Sequence, residues 1–352
     1  MKQKIYFPAE WHPQSAVQLT WPHKQTDWAP ILDEVTACFV AIAKEIVKRE
    51  KLLIVCDDED EVRRQLGKIN YKAIIFREIK SNDTWARDHG GITVFIDGEP
   101  VIYDFTFNGW GMKFAANYDN MITEKLLQTN TFNKAVDVIN MHPFVLEGGS
   151  IDSDGKGTLL TTAECLESEN RNEYLSHKQL EDYLKELFGL DRVLWIEIGY
   201  LAGDDTDGHI DMLARFCDEC TIAYVQCTDK TDFHFLELRE MEQQLKSFRT
   251  ADNKPYRLIP LPMADKIVWE GNQLPATYTN FLIINGAVLV PFYQSDKDAI
   301  AAKALQTAFP DREIIGIDCR ALIKQNGSLH CVTMQYPMGV IPTPVTNVPR
   351  SG

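Results

Sequence analysis

The hydrophobic pattern of the chain repeats one arrangement: a short run rich in β-branched and aromatic residues, a tight turn, and a second such run. Paired runs of this kind predict β-hairpins. Three of the turns contain Asp-Gly or Asn-Gly, which tolerate the positive φ angles of tight hairpin turns. We expect hairpins at 91–105, 149–162, 212–225 and 280–293, with Asp97-Gly98, Asp154-Gly155 and Asn285-Gly286 in the turns.

Segments with helical spacing lie between the hairpins. They cover 31–48, 117–127, 172–188, 232–248 and 296–309, and an extended segment, SAVQLTWP, begins the regular structure. The unit recurs about every 60 to 70 residues, which suits about five supersecondary modules arranged around an axis. No Pro/Gly/Ser-rich or single-sign run divides the sequence, so we expect a single domain over residues 1–352.

Composition narrows the class of protein. The formal net charge of -15 argues against nucleic acid and anionic membrane surfaces as partners. The start, MKQKIYFPAEWHPQ, contains no apolar run of signal-peptide length, and no stretch of the chain approaches the length that spans a bilayer. The eight cysteines are scattered, which suits a reducing compartment, so we expect a cytoplasmic protein.

The segment DDTDGHID, residues 204–211, packs four aspartates around one histidine. A calcium loop aligned on Gly208 would need ligands at positions held by Gly203 and Ala214, so we predict no calcium site. If the segment enters a strand, His209 and Asp211 point to one face as a base beside a cation anchor. A pair that merely satisfies a strand end is the alternative. Nearby, Cys217 and Cys220 form a single CxxC, which favours a turn with two free thiols over a zinc site.

Two further polar segments carry candidate chemistry. In NDTWARDHGG, Trp85 offers a flat π face and Asp88 a negative charge, which together recognise a planar organic cation. The alternative is that Trp85 belongs to the core and that Arg87 and Asp88 pair with structural partners. In VLEGGSID, Glu147 ends an apolar run, where partial desolvation would raise its pKa and suit it to proton transfer, unless it only forms a cap or turn.

The segment NGSLHCVTMQYP supplies a candidate nucleophile. Cys331 begins an apolar, strand-like run, where neighbouring cationic groups could lower the pKa of an exposed thiol. An inert core cysteine is the alternative. Consecutive strand residues face opposite sides, so His330 is the poorer partner for the thiol and His209 the better one. Phosphate-binding loops and a GxSxG motif do not occur in the sequence.

Five segments together resemble the agmatine deiminase family of the guanidine-modifying superfamily. They are FPAEWHPQSAVQLTWP (7–22), WARDHGG (85–91), LEGGS (146–150), GHID (208–211) and SLHCVTMQYP (328–337). The resemblance implies a five-bladed α/β propeller of pseudo-repeated ββαβ modules with the site on its axis. The sequence departs from the family pattern in two places, with Gly90-Gly91 in place of Gly-Pro and Asn326-Gly327-Ser328 in place of a glycine-rich run. The resemblance therefore does not determine the shape of the pocket rim or the substrate tail that it accepts.

The resemblance also implies residue roles. Cys331 would attack the guanidinium carbon, His209 would act as general acid and base, and Glu147 would assist proton transfer. Asp88 and Asp211 would hold the guanidinium nitrogens, and Trp85 would pack on the substrate chain. Neither a metal nor an organic cofactor is implied.

The expected reaction hydrolyses agmatine to N-carbamoylputrescine and ammonia through a thiouronium intermediate, a step of putrescine and polyamine biosynthesis. Asp204 and Asp205 as an acidic rim, with Trp110 as an aromatic wall, favour the agmatine amine over the carboxylate of arginine. The alternatives are an arginine or peptidylarginine deiminase, a non-catalytic guanidinium-binding protein and an amidinotransferase. The expected partner is a small guanidinium cation, and the sequence leaves a homo-oligomer open.

Overall fold

The computed structural model describes residues 3–342. Nineteen strands are assigned in this part of the chain. They are β1 Ile5–Tyr6, β2 Gln14–Thr20, β3 Lys51–Cys56, β4 Ile74–Glu78, β5 Ile92–Ile96, β6 Glu99–Thr106, β7 Asp137–Val145, β8 Ile151–Ser153, β9 Thr158–Thr162, β10 Arg192–Ile196, β11 Ala214–Asp218, β12 Thr221–Gln226, β13 Arg257–Pro262, β14 Val268–Trp269, β15 Asn272–Gln273, β16 Leu282–Ile284, β17 Ala287–Phe292, β18 Glu313–Asp318 and β19 Thr333–Pro337.

The helices of the described residues connect these strands. They are α1 Leu32–Ile46, α2 Glu59–Leu66, α3 Ala86–His89, α4 Gly109–Met112, α5 Ile122–Gln128, α6 Ala163–Leu166, α7 His177–Phe188, α8 Phe235–Ser247 and α9 Asp296–Ala308. The five predicted helical segments correspond to α1, α5, α7, α8 and α9, so these predictions are confirmed, with α5, α7 and α8 starting a few residues later than expected.

All four predicted hairpins are present, and each belongs to a sheet of the same design. In β5–β6, β8–β9, β11–β12 and β16–β17 the strands run antiparallel, and a third strand pairs parallel to the second one. The helix between the second and third strand is the long one of each unit. The repeated ββαβ order read from the sequence is therefore confirmed, and the fold is mixed α/β.

The fifth unit joins the two ends of the described chain. Strand β19 pairs antiparallel with β2, whose parallel partner β3 follows helix α1. In this unit the antiparallel pair is not a hairpin but two strands about 315 residues apart in the sequence. Together with α1 and β3 they have the same ββαβ arrangement as the other units. This pairing brings the Cys331 segment, just before β19, against the N-terminal part of the protein.

Two clusters of buried apolar side chains form the core. One contains residues of β2, β3, β12 and β17 with helices α1, α8 and α9, and the other contains residues of β5, β6 and β9 with helix α7. Burial of apolar surface on this scale is the main favourable term in folding. Among residues 3–342, no helix is both long and apolar enough to cross a membrane.

Candidate active site

The loop before β11 presents the histidine and aspartate of DDTDGHID in a geometry other than a strand. Gly208 has φ +81°, and a single 3-10 turn, Ile210–Met212, follows His209. The expectation that these residues enter a strand is therefore wrong. The turn arises because Asp204 accepts hydrogen bonds from the backbone of Thr206 and Gly208, which curls the loop. His209 and Asp211 nevertheless lie on the same side, both buried.

Asp88 is fixed by two donors. Its Oδ1 accepts a hydrogen bond from the Gly149 backbone N–H at 3.0 Å, and its Oδ2 accepts one from Trp110 Nε1 at 3.1 Å. His209 Nδ1 lies 3.6 Å from Oδ1. Burial, together with the charges of Asp211 and Glu147, holds the pKa of Asp88 well above its ordinary value. An entering cation would reverse this effect, so the carboxyl group is prepared to ionise when a cation binds.

Asp211 is buried in the same place but differs in its electrostatics. Its Oδ2 lies 2.8 Å from His330 Nδ1, whereas Oδ1 has no hydrogen-bond partner among the described residues. Burial alone would raise the pKa of Asp211, but the hydrogen bond and charge of His330 hold it below its ordinary value. The site therefore contains one ionised carboxylate with a free oxygen.

Cys331 faces these carboxylates. Its Sγ lies 3.8 Å from Asp211 Oδ2, and Asn280 Nδ2 lies 3.2 Å from Sγ. Burial, then the charges of Asp211 and Asp88, raise the pKa of the thiol well above its ordinary value. The expectation that cationic side chains lower this pKa is wrong, because the nearest charges come from carboxylates. In the unliganded site the cysteine is a thiol, and only a cationic ligand could favour its thiolate.

His209 completes the reacting groups. The side chain is fully buried, and neither ring nitrogen has a hydrogen-bond partner among residues 3–342. Burial lowers the pKa of His209, so the ring is neutral and its basic nitrogen is free. A neutral imidazole beside a thiol and two carboxyl groups can accept and return a proton.

Glu147 lies at the back of the site. It is buried, precedes the 3-10 turn Gly148–Ser150, and its side chain caps no helix. Arg171 Nε donates to both carboxylate oxygens at 3.1 Å, and the same guanidinium contacts Asp207 Oδ2 at 2.6 Å. Glu147 is therefore held as half of a buried ion pair. Asp207 is a second partner of this arginine.

Gly149 marks the point on which these groups converge. A Cβ built on Gly149 would lie 2.5 Å from His209 Nδ1, 2.8 Å from Asp88 Oδ1 and 3.2 Å from Asp211 Oδ2. Glycine at this position thus lets an imidazole and two carboxyl groups pack against the backbone at one point, with no room for a side chain. A planar group with several N–H donors that reaches this cluster can donate to the carboxyl oxygens.

Asp88 and Cys331 of the site also line a cavity with an aromatic and acidic wall. Its wall contains Trp85, Trp110 and Phe114 beside Asp88 and Cys331. A Cβ on Gly327 would clash with the Trp85 ring, so the glycine of the Asn326-Gly327-Ser328 segment permits this close packing. The acidic residues of the lining are Asp27, Asp83, Asp88 and Asp205, and no lysine or arginine lines it within the described chain.

The structure separates the two aspartates predicted to form the rim. Asp205 lines the cavity and accepts a hydrogen bond from Asn326 Nδ2 at 2.9 Å. Asp204 bonds to its own loop and does not line the cavity, so its predicted place at the rim is wrong. Asp27 and Asp83 take that place, and burial raises the pKa of Asp83 to about 7.

One group of side chains could hold a metal ion. Ligand atoms of Glu147, Cys165 and His209 lie within 4.8 Å of one another. The guanidinium of Arg171 already contacts both oxygens of Glu147, and its positive charge opposes a cation there. The donor set therefore does not fit a resident metal. At the CxxC, Cys217 and Cys220 are free thiols, as predicted.

Sequence reasoning missed several residues of the site: Asn280, Arg171, Asp27, Asp83 and the backbone N–H of Gly149. Asn280 is the first residue of a predicted hairpin and belongs to no recognisable catalytic motif, and Arg171 lies in a polar stretch with no distinctive spacing. Gly149 stands in a quoted segment, LEGGS, where two glycines after a carboxylate were a usable signal of close packing.

The fold and the site define a mixed α/β protein with a buried cysteine, histidine and carboxylate site that suits a small organic cation. The family model of the Porphyromonas-type peptidyl-arginine deiminases matches residues 6–337. The chain therefore belongs to this family.

Similar proteins carry two kinds of name. A solved structure from Porphyromonas gingivalis, named "Putative Arginine Deiminase", is 57% identical, covers 96% of this chain and 100% of its own, and has a TM-score of 0.93. A C. jejuni agmatine deiminase, solved as a cysteine-to-serine variant with substrate bound, is 39% identical over 95% and 96% of the two chains, with a TM-score of 0.89. The agmatine deiminase of Stutzerimonas stutzeri is 31% identical over 94% of this chain and 95% of its own.

Proposed function

We propose that the protein is an agmatine deiminase, a hydrolase that converts the guanidinium group of agmatine to a ureido group and releases ammonia. The observation that carries the proposal is the cluster at Gly149, where His209, Asp88 and Asp211 converge and Cys331 lies beside Asp211. The names of the C. jejuni and S. stutzeri relatives support it.

The residues suggest how the reaction proceeds. Asp211, through its free Oδ1, and Asp88 would hold the guanidinium nitrogens, and the substrate charge would offset the carboxylates that keep Cys331 protonated. His209 would take the thiol proton, and the thiolate would attack the guanidinium carbon. His209 would then return the proton to the departing nitrogen, which leaves as ammonia.

The second half of the reaction releases the enzyme. Water would attack the resulting S-alkylthiouronium, with His209 accepting its proton, and the carbon–sulfur bond would break to regenerate the thiol and a ureido product. Glu147, fixed by Arg171, lies close enough to His209 to favour the protonated ring, since its charge raises the pKa of that ring against the effect of burial. We propose Cys331, His209 and Glu147 as catalytic, and Asp88, Asp211, Trp85 and Trp110 as substrate-binding.

The lining of the cavity favours agmatine over arginine. The α-carboxylate of arginine needs a cationic anchor, whereas the primary amine of agmatine needs acceptors. Asp27, Asp83 and Asp205 supply acceptors, and the described lining offers no lysine or arginine. Arginine is kept as the second candidate because the P. gingivalis neighbour carries that name.

A comparison of substrates tests the proposal. We expect kcat/KM for ammonia release to be about a thousandfold higher with agmatine than with arginine or an arginyl peptide. The reason is that the acidic lining pairs with the amine of agmatine and offers no partner for a carboxylate. The Cys331→Ala variant should show no turnover, while Cys220→Ser, at an exposed thiol, should match the unaltered enzyme. Faster turnover of arginine, or activity in Cys331→Ala, would refute it.

Several more detailed expectations from the sequence are also proposals. We propose that the five ββαβ units are blades around one axis in a single domain, supported by the β19–β2 pairing that joins the ends. We also propose a cytoplasmic location, supported by the unpaired thiols, which cell fractionation tests. Light scattering tests for a homo-oligomer. Chelator treatment that leaves activity unchanged would support catalysis without a metal.

A further inference from the structure

A buried row of charged side chains runs away from the proposed active site. Asp211 Oδ2 lies 2.8 Å from His330 Nδ1, and the other ring nitrogen, Nε2, lies 2.8 Å from Glu10 Oε2. Arg215 donates to Glu10 and, through Nε at 3.2 Å, to Asp152. All five residues are at least nine-tenths buried. The row therefore links the proposed guanidinium clasp to a residue of the N-terminal segment, 201 positions earlier in the chain.

The ring of His330 lies between two carboxyl groups, with Oδ2 of Asp211 and Oε2 of Glu10 each 2.8 Å from one of its nitrogens. Burial would raise the pKa of Glu10, but the charge of Arg215, which donates to the same carboxyl group, helps to hold it far below its ordinary value. A carboxylate oxygen can only accept a hydrogen bond, so both ring nitrogens are placed to donate.

His330 does not touch the substrate cavity. It lines a second cavity together with Glu10, Arg87 and Asp152, whereas Cys331, the next residue, lines the first. His330 and Cys331 are consecutive residues that line different cavities, so His330 belongs to the wall between them.

The two proposed clasps differ in their partners. Asp88 accepts hydrogen bonds from the neutral Gly149 N–H and Trp110 indole and has a raised pKa, whereas Asp211 lies beside His330 and has a lowered one. The hydrogen bond from His330 holds Oδ2 of Asp211, the oxygen that lies 3.2 Å from the Gly149 Cβ position and 3.8 Å from Cys331 Sγ. Oδ1 is buried and has no partner among the described residues.

Given the proposed function, we propose that His330, held by Glu10, is a positioning residue that fixes the Asp211 carboxylate beside Cys331 through Oδ2 and leaves Oδ1 free to accept a hydrogen bond from the guanidinium. Because it acts through Asp211 on binding in both the ground and the transition state, its loss raises KM more than it lowers kcat.

Two substitutions of His330 separate positioning from packing. His330→Asn retains an N–H donor near the position of Nδ1, whereas the longer His330→Gln reaches toward Glu10 and loses the donor to Asp211. We expect KM for agmatine to rise more than tenfold in His330→Gln, with kcat changed less than threefold. In His330→Asn the rise in KM should be at least fivefold smaller. In a Cys331→Ser background, which binds without turnover, the agmatine Kd should follow the same order.

Glu10→Gln tests the outer part of the row. It removes a charge but keeps an acceptor for His330, so we expect KM to rise threefold or more, and no further rise when it is combined with His330→Gln. Equal KM values in all variants, equal defects in His330→Asn and His330→Gln, or additive effects of Glu10→Gln and His330→Gln would overturn the proposal.

Nitrogen NMR on the unaltered protein gives a test that needs no variant to fold. With ¹⁵N-labelled histidine, both ring nitrogens of His330 should show the signature of an imidazolium at neutral pH, and a neutral ring would overturn the proposal. Failure of the proposed function would appear separately, as no turnover and no agmatine binding in the enzyme with an intact His330.

Discussion

At the scale of single residues, the close packing around Gly149 is what the reacting groups share. Three functional atoms lie within 3.2 Å of the position that a Cβ would occupy, and the φ of Gly149 lies outside the left-handed region. An alanine could therefore adopt the backbone conformation, but its methyl group would push His209, Asp88 and Asp211 out of their places.

We predict that Gly149→Ala lowers kcat/KM for agmatine by about a thousandfold while the free energy of unfolding falls by only about 1 to 3 kcal/mol, the usual cost of one extra methyl group in a packed site. Ammonia release and urea denaturation measure the two effects. Gly98→Ala is the matched control: its φ is +92° and no atom lies within 4 Å of the added Cβ. It should lose about 1 kcal/mol of stability and no activity, and an active Gly149→Ala would show that the substrate lies elsewhere.

At the scale of elements, the short segment Gly109–Met112 shapes the mouth of the cavity. Its four residues have φ between 55° and 81°, unusual for Trp110 and Met112. Such a conformation costs about 1 to 3 kcal/mol per non-glycine residue and is kept where surrounding contacts require it. Here it places the Trp110 indole N–H on Asp88.

Trp110→Phe should preserve the aromatic wall and remove that hydrogen bond. A hydrogen bond to a charged group contributes about 1.5 to 3 kcal/mol, so we predict that KM for agmatine rises about tenfold or more. Steady-state kinetics measure the change. Phe114→Leu alters the same wall without a contact to Asp88 and should change KM less than threefold; equal effects of the two variants would mean that the indole acts through packing alone.

The elements themselves were largely predictable from the sequence. Hairpins and long helices follow from residue periodicity and turn chemistry, both of which are local, and they are present where predicted. The predicted strand at His209 and Asp211 failed because the side chain of Asp204 hydrogen-bonds its own loop, a local interaction that competes with a strand.

At the scale of the whole molecule, contacts between distant segments carry titratable groups into the interior. Glu50, just before β3, accepts hydrogen bonds from the backbone N–H of Asn285 at 3.0 Å and from its side chain at 3.3 Å. Asn285 is the turn of the β16–β17 hairpin and also contacts Gln14. Burial raises the pKa of Glu50 to about 7.

This raised pKa predicts a pH dependence of stability. The folded protein binds the Glu50 proton more tightly than the unfolded chain, so the contribution is fully present below about pH 4.5 and is lost as the pH rises through about 7. We predict that the stability of the unaltered protein relative to Glu50→Gln falls by about 2 to 3 kcal/mol between pH 4.5 and pH 8. Urea denaturation at each pH measures it. Glu186→Gln, on the surface, should show no such trend; a constant difference for Glu50→Gln would contradict the assignment.

The sequence by itself determined the ββαβ order, the mixed α/β class and the quoted segments in which Cys331, His209, Asp88, Asp211 and Glu147 lie, because these depend on local periodicity and short motifs. Only the tertiary structure decided which charges surround each of these groups. Glu10 and His330 are 320 positions apart, and Asn280 is 51 positions from Cys331. Electrostatic and hydrogen-bonding effects depend on distance in space, which the order of residues does not give. The high pKa of the Cys331 thiol, the lowered pKa of His209 and the place of His330 between two carboxyl groups therefore follow only from the folded protein.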